Sequence, residues 1–271
     1  MPVPTLLRLL ATATALVAAP VWADLADVVA AAKPAVVAIG LYRPLSSPRF
    51  EFRGTGFVIG DGRTLATNAH VLPDEAAAMD QLALQISGNR GAGQDGALET
   101  RKLTLLQLDR THDLALLQFS GTPLPALALD ASDSAREGQA AAFIGFPIGG
   151  LLGFSPVTHR ATISSITPIA LPPPNARQLD AAAVSRLRAA RFDIYQLDGI
   201  AYPGNSGGPL LDSDSGQVLG IVNMVLVKNS RESLLSSPSG ISYAIPVRYL
   251  RALLTRPRRG LGGGLAAGLT G

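Results

Sequence analysis

The sequence predicts an all-β protein, and two observations carry that reading. Short runs rich in Val, Ile, Leu and Thr recur along the chain with glycine turns between them, and helical spacing in the body lies near its two ends. Leu25 to Lys33 puts apolar residues at 25, 28, 29 and 32, the spacing of one helix face, and Lys33-Pro34 ends it. Ala35 to Leu41 is β-rich. After the linker-like Pro44-Leu45-Ser46-Ser47-Pro48, Phe57-Val58-Ile59 and Thr64 to Thr67 form a hairpin pattern around Gly60-Asp61-Gly62. Leu82 to Ile86 and Leu103 to Leu108 read as strands on either side of the glycine-rich stretch 88–96. Asp113 to Phe119 reads as a buried strand.

Gly121 to Arg136, dominated by Pro, Asp, Ser and Ala, reads as a link between two halves, one covering about 35–120 and the other about 137–246. The second half has strand-like runs at Gln139 to Phe146, Val157 to Ile166, Ile194 to Leu197, Leu210-Leu211, Val218 to Val222 and Ile241 to Ile245. Asp212 to Gly216 supplies a hairpin turn. Pro246 suits the first turn of a helix, which would put Val247, Leu250 and Leu254 on one face. From Arg256 the tail, 256–271, is Arg, Pro, Gly and Ala without periodicity and reads as disordered. Pro168 to Arg191 departs from the β pattern. A stiff proline triplet, Pro172 to Pro174, precedes Ala181, Val184, Leu187 and Ala190 at helical spacing.

Residues 1–23 read as an export signal: Arg8, then the short apolar run Leu9 to Ala19, then Pro20 and small residues up to Ala23. Spanning a bilayer takes about 20 apolar residues, so a periplasmic or secreted protein is expected, with no stable membrane insertion after signal cleavage. An uncleaved anchor is the alternative. The absence of cysteine excludes a disulfide framework. The formal charge is +3, and setting aside Arg8 and the tail residues Arg256, Arg258 and Arg259 leaves the body at −1. That excludes the basic footprint of a nucleic-acid-binding domain. No His/Cys cluster has metal-ligand spacing and no phosphate-cradling loop is in context, so neither a metal nor a cofactor is expected.

The chemistry centres on Tyr202-Pro203-Gly204-Asn205-Ser206-Gly207-Gly208-Pro209-Leu210. Three glycines between two prolines make a tight loop that exposes a hydroxyl and can turn backbone N–H groups towards one point, the geometry that holds a developing oxyanion. Serine needs a base beside it to act as a nucleophile. His70, in Thr67-Asn68-Ala69-His70-Val71, is the candidate base. Asp113, opening Asp113-Leu114-Ala115-Leu116-Leu117, is the candidate orienting acid. The chain order His, Asp, Ser is that of the chymotrypsin arrangement, not of α/β-hydrolases or subtilisins.

With Gly54-Thr55-Gly56-Phe57-Val58-Ile59 and Gly240-Ile241-Ser242-Tyr243-Ala244-Ile245-Pro246, these segments resemble, in order, the motifs of the HtrA/Deg-type trypsin-like serine proteases from about Leu25 to Leu254. The resemblance implies two six-stranded antiparallel β-barrels, a catalytic triad of His70, Asp113 and Ser206, and an oxyanion hole from Gly204 and Ser206 with Asn205 shaping the turn. It implies a serine endopeptidase acting on polypeptide substrates of protein quality control, and a homotrimer as the assembly to expect. Such proteases usually carry PDZ domains, for which this chain has no room. The pocket wall would come from Asp198 to Ala201, Val222 to Val225 and the stretch near Ile241, with Ile200, Ala201, Asn223 and Val225 as pocket residues. Ile200 stands where trypsin-like enzymes that cut after Lys or Arg have an acid. An apolar floor cannot hold a buried cation, so small aliphatic P1 residues are expected.

Neutral Asn205 stands where zymogen-activated relatives have an aspartate, so activation by N-terminal cleavage is not expected. Asp198 is expected to bond the serine loop, His112 to face away from Asp113, and His159 to lie on a surface or loop. The segment 168–191 is expected to dock a helix that controls the oxyanion loop. A non-catalytic chaperone-like or binding protein on the same fold, and an esterase, are the competing readings.

Overall fold

The computed structural model describes residues 24–87, 98–147, 155–169, 192–223 and 241–257. The leader, the 170–191 part of the insertion, Val225 and most of the tail therefore lie outside the described residues, together with the expectations placed on them. Twelve strands form two closed antiparallel barrels. The first barrel contains β1 (Val36–Tyr42), β2 (Phe50–Ile59), β3 (Thr64–Asn68), β4 (Leu82–Ser87), β5 (Leu98–Asp109) and β6 (Leu114–Phe119), ordered β1-β2-β3-β6-β5-β4. The second contains β7 (Ala140–Gly145), β8 (Val157–Ile169), β9 (Phe192–Asp198), β10 (Pro209–Asp212), β11 (Val218–Asn223) and β12 (Ile241–Pro246), ordered β10-β11-β12-β9-β8-β7. Among the described residues the α-helices are α1 (Leu25–Ala32), the single turn α2 (Ala76–Met79) and α3 (Val247–Thr255).

Three apolar cores explain why so many strands are buried on both faces. Val37, Ile39, Val58, Leu65, Leu84 and Leu117 fill the first barrel. Phe143, Ile163, Leu197, Leu210 and Leu219 fill the second. The third core lies between the barrels and joins Phe57, Ala66, Leu114 and Leu116 to Ile144, Phe192, Ile221 and Leu250. A strand serving two cores must be apolar at odd and even positions alike, which is why β6 and β11 read as continuous hydrophobic runs. The hairpin between β2 and β3 is closed by Asp61, whose carboxylate accepts the N–H groups of Arg63 and Thr64.

The link 121–136 runs across both barrels. Leu127 N–H bonds Val58 C=O in the first, while Asp130 N–H bonds Val218 C=O and Val218 N–H bonds Ala128 C=O in the second. Helix α3 departs from expectation at its end. Val247, Leu250 and Leu253 are buried, Leu253 at 1 % exposure, whereas Leu254 is 39 % exposed. The helix leaves the second barrel to reach β5 of the first. Its buried stripe therefore follows a three-residue spacing along that junction.

Candidate active site

His70 and Asp113 come together where β3 ends and β6 begins. The two strands pair from Thr64↔Gln118 to Asn68↔Leu114. Beyond that register β3 passes into a 3₁₀ turn, Ala69–Val71, and the chain ahead of β6 turns through Asp113. Asp113 is not the first residue of a strand: its φ is 53°, a left-handed conformation that few non-glycine residues adopt. Hydrogen bonds hold it there. Its carbonyl accepts Ala69 N–H at 3.0 Å and Asn68 Nδ2 at 3.1 Å. Its carboxylate accepts His70 N–H on Oδ1 at 2.9 Å and lies 2.6 Å from His70 Nδ1 through Oδ2. On the other side of the histidine turn, Arg53 Nε and its Nη2 donate to the carbonyls of Val71 and Leu72 at 2.6 and 3.0 Å.

Asn223 belongs with this pair and not with the pocket. Its side chain is 1 % exposed, and Nδ2 donates to Asp113 Oδ2 at 2.7 Å. A carboxamide buried against a carboxylate cannot line an open cleft. Its place at the end of β11, in the second barrel, means that the acid beside His70 is held from both barrels. A polar residue closing the otherwise apolar run Val218 to Val222 was the signal that could have found it.

The serine loop is packed to contact. Gly204 has φ 103° and Gly207 has φ 86°. A Cβ on Gly207 would lie 2.1 Å from Thr55 C=O and 2.3 Å from Thr67 Oγ1, and one on Gly204 would lie 2.2 Å from Phe146 C=O. Both positions therefore require glycine on conformation and on space. Ser206, 5 % exposed, accepts Thr55 N–H at its carbonyl at 2.9 Å. A Cβ built on the neighbouring Gly54 would stand 3.1 Å from that carbonyl and 2.7 Å from the Val71 side chain. The serine loop and the histidine turn thus both pack against one glycine of β2. Asn205 is fully buried, with N–H to Tyr202 C=O and C=O to Gly208 N–H, both at 3.0 Å.

The expected pocket residues separate. Ala201 is buried and its N–H donates to Ser242 Oγ, which itself donates to Gly199 C=O. Ile200 is 42 % exposed, an apolar side chain open to solvent. Asp198 does not bond the serine loop. It ends β9 in register with Thr162 and Ile241, its side chain is exposed, and among the described residues it makes no hydrogen bond through its carboxylate. A residue in register with partners on both sides has its backbone committed to the sheet, and this one directs its charge to water.

The other histidines have defined places. His112 faces away from Asp113, as expected, but from a turn and not from a strand. Its Nδ1 is 2.9 Å from Asp109 Oδ2, and its ring stacks on Tyr249 of α3 with centroids 4.3 Å apart. Burial alone would raise the Asp109 carboxyl, yet hydrogen bonds from His112 and the charge of Arg256 hold it below the usual carboxylate range. His159 lies on β8, in register with Phe143, and stacks on its ring at 4.7 Å. It is neither on a loop nor freely exposed, and burial lowers its pKa. Its Nε2 is 3.5 Å from Asn205 Nδ2.

Among the described residues no group of His, Cys, Asp and Glu could hold a metal ion, and no helix is long and apolar enough to cross a membrane.

Comparison with known proteins gives a consistent set. The profile of the trypsin-like peptidase domain matches residues 54–221. Serine protease HTRA1A of Danio rerio is 30 % identical over 234 residues, covering 85 % of this chain and 40 % of that protein. Serine protease HTRA3 of Homo sapiens is 30 % identical over 241 residues, covering 85 % and 44 %. This chain thus spans about two-fifths of the length of such relatives. Among solved structures, the Rv3671c protease of M. tuberculosis in its active form superposes with a TM-score of 0.61 at 24 % identity, over 88 % of this chain and 86 % of that one. The HtrA-type protease AlgW with a tripeptide superposes at 0.58 and 25 % identity, over 86 % and 62 %.

Proposed function

The chain belongs to the trypsin-like peptidase family, and from that membership we propose that it is a serine endopeptidase of the HtrA type, with His70, Asp113 and Ser206 as its catalytic triad. The observation that carries the reading is the 2.6 Å contact between His70 Nδ1 and Asp113 Oδ2, beside a serine loop seated on the same strand β2. Asp113 accepts the hydrogen bond from His70 Nδ1–H, which fixes the tautomer and leaves the Nε2 lone pair to act as base. Ser206 Oγ attacks the substrate carbonyl carbon while its proton passes to His70 Nε2. The negative charge moves to the carbonyl oxygen, which the N–H groups of Gly204 and Ser206 receive. Collapse of the tetrahedral species breaks the C–N bond. His70 returns the proton to the leaving amine, and water repeats the cycle on the acyl-enzyme.

Exposed, apolar Ile200 and small, buried Ala201 support small aliphatic side chains at P1. The leader-like residues 1–23 support export to the periplasm or beyond, where unfolded or damaged polypeptides would be the substrates. A homotrimer is the assembly proposed, measurable by light scattering after gel filtration.

A fluorophosphonate probe tests the chemistry. Wild type labels and Ser206→Ala does not. Ser206→Ala, His70→Ala and their double mutant each lose about 10⁴–10⁶-fold in casein hydrolysis, because triad members act as a unit. Labelling that survives Ser206→Ala, or losses that multiply in the double mutant, would refute the assignment.

A further inference from the structure

The motif Gly54-Thr55-Gly56 has so far been a strand with two glycines, and its central hydroxyl has no assigned task. Thr55 is fully buried. Its Oγ1 donates to Gly204 C=O at 2.7 Å and accepts Phe146 N–H at 3.1 Å. Its main chain is engaged as well, with N–H to Ser206 C=O at 2.9 Å and C=O to Thr67 Oγ1 at 2.7 Å. One residue of the first barrel therefore holds two loops of the second, the one after β7 and the one before β10. A side chain placed here must be small, must donate once and must accept once, which only a hydroxyl does.

We propose that Thr55 is a positioning residue for the oxyanion hole, with its hydroxyl fixing the orientation of Gly204. The inference rests on the serine-protease reading. The Gly204 carbonyl belongs to the peptide that follows the Gly204 N–H. With that carbonyl pinned, the N–H can swing only through φ of Gly204 and ψ of Pro203. The space for such a swing is restricted. A Cβ on Gly145 would lie 2.7 Å from Asn205 Oδ1 and 3.1 Å from Thr55 Oγ1, so the end of β7 packs against both the clamp and the serine loop. Ser206 N–H is oriented separately, through Asn205 C=O bonded to Gly208 N–H. The two oxyanion donors are thus set by different bonds, and the Gly204 half depends on a side chain from the opposite barrel. Losing the hydroxyl frees a glycine, the residue with the widest backbone freedom.

Thr55→Val keeps the shape and removes the hydroxyl, while Thr55→Ser keeps the hydroxyl. Both are assayed on a peptide taken from a casein cleavage site mapped with wild type, and for fluorophosphonate labelling rate. Affinity for the same peptide is measured in a Ser206→Ala background. For Thr55→Val, kcat and labelling rate both fall about tenfold to a hundredfold, less than the loss of a whole oxyanion donor. KM and peptide affinity stay within about twofold, and Thr55→Ser retains most of the activity. The inference is overturned if Thr55→Val stays within about twofold of wild type, if it changes KM and not kcat, or if Thr55→Ser is equally impaired. A Thr55→Val chain that fails to fold, judged by near-ultraviolet circular dichroism, also overturns it, since the hydroxyl would then hold the barrels and not the loop. If wild type neither labels nor hydrolyses, it is the protease reading that falls.

Discussion

Replacing Asn223 with alanine removes the Nδ2–H···Oδ2 bond to Asp113. The bond is 2.7 Å long and joins a neutral donor to a charged acceptor, with the donor residue 1 % exposed. A hydrogen bond to a charged group contributes about 1.5–3 kcal/mol. Asp113 keeps His70 N–H on Oδ1 and the imidazole on Oδ2, so the carboxylate stays in place with less restraint. On the proposed mechanism, its support matters most when His70 becomes an imidazolium, in the transition state. If most of the bond is felt there, kcat falls about tenfold to a hundredfold. KM should stay unchanged, because no substrate group is touched. Asp113→Asn gives the reference, about 10⁴-fold, because an amide favours the wrong imidazole tautomer. Steady-state kinetics on one peptide, with labelling by a fluorophosphonate as a second readout, measure all three chains. An Asn223→Ala enzyme within about twofold of wild type would refute the reasoning. So would a loss confined to KM, which would return Asn223 to the substrate pocket.

Three further outcomes follow from the same geometry. Gly207→Ala puts a Cβ 2.1 Å from Thr55 C=O at φ 86°, so the variant should lose more than about 2 kcal/mol of stability in urea unfolding; an unchanged midpoint would contradict the packing described. The His159 pKa is lowered by burial below its ordinary 6.5, so the unfolded chain binds the extra proton first and stability is lost as pH falls below about 6.5. Thermal melts between pH 7.5 and 5 should therefore decline more steeply for wild type than for His159→Gln, and parallel slopes would remove His159 from the account. Cleavage sites mapped in casein should carry Val, Ala, Leu or Ile at P1, and a set dominated by Lys and Arg would exclude Ile200 from the pocket.

The fold was largely legible because its strands serve two cores and so appear as unbroken apolar runs between glycine turns. Closure was not legible in the same way. Whether β1 meets β4, or β10 meets β7, depends on pairings across 40 or more residues that leave no local pattern. The serine loop announced itself because Gly204 and Gly207 are demanded by conformation and contact, and such demands write themselves into sequence. Hydrogen bonds across the barrel junction do not. Asn223 and Thr55 act on residues 110 and 149 positions away, Asp113 and Gly204, and nothing near them says which one. His159 was misplaced for a related reason: a polar residue in a strand looks solvent-facing until its partner, Phe143, is known to be an aromatic ring. Asp198 erred the other way, as an acid near the serine in sequence that turns out to face water.

The link between the barrels has a consequence under the proposed function. An endopeptidase of the kind proposed would take an extended strand whose backbone is free to pair with it, and neighbouring copies would be potential targets. Residues 121–136 would be a natural place to cut, being long, irregular and rich in Pro, Ser and Ala. Yet Leu127, Ala128 and Asp130 already use their backbone groups against Val58 and Val218. A second copy would have to strip those bonds from both barrels at once before the segment could enter its cleft. On the proposed function, the stitching that spans the two halves would also guard the chain against cleavage by another copy.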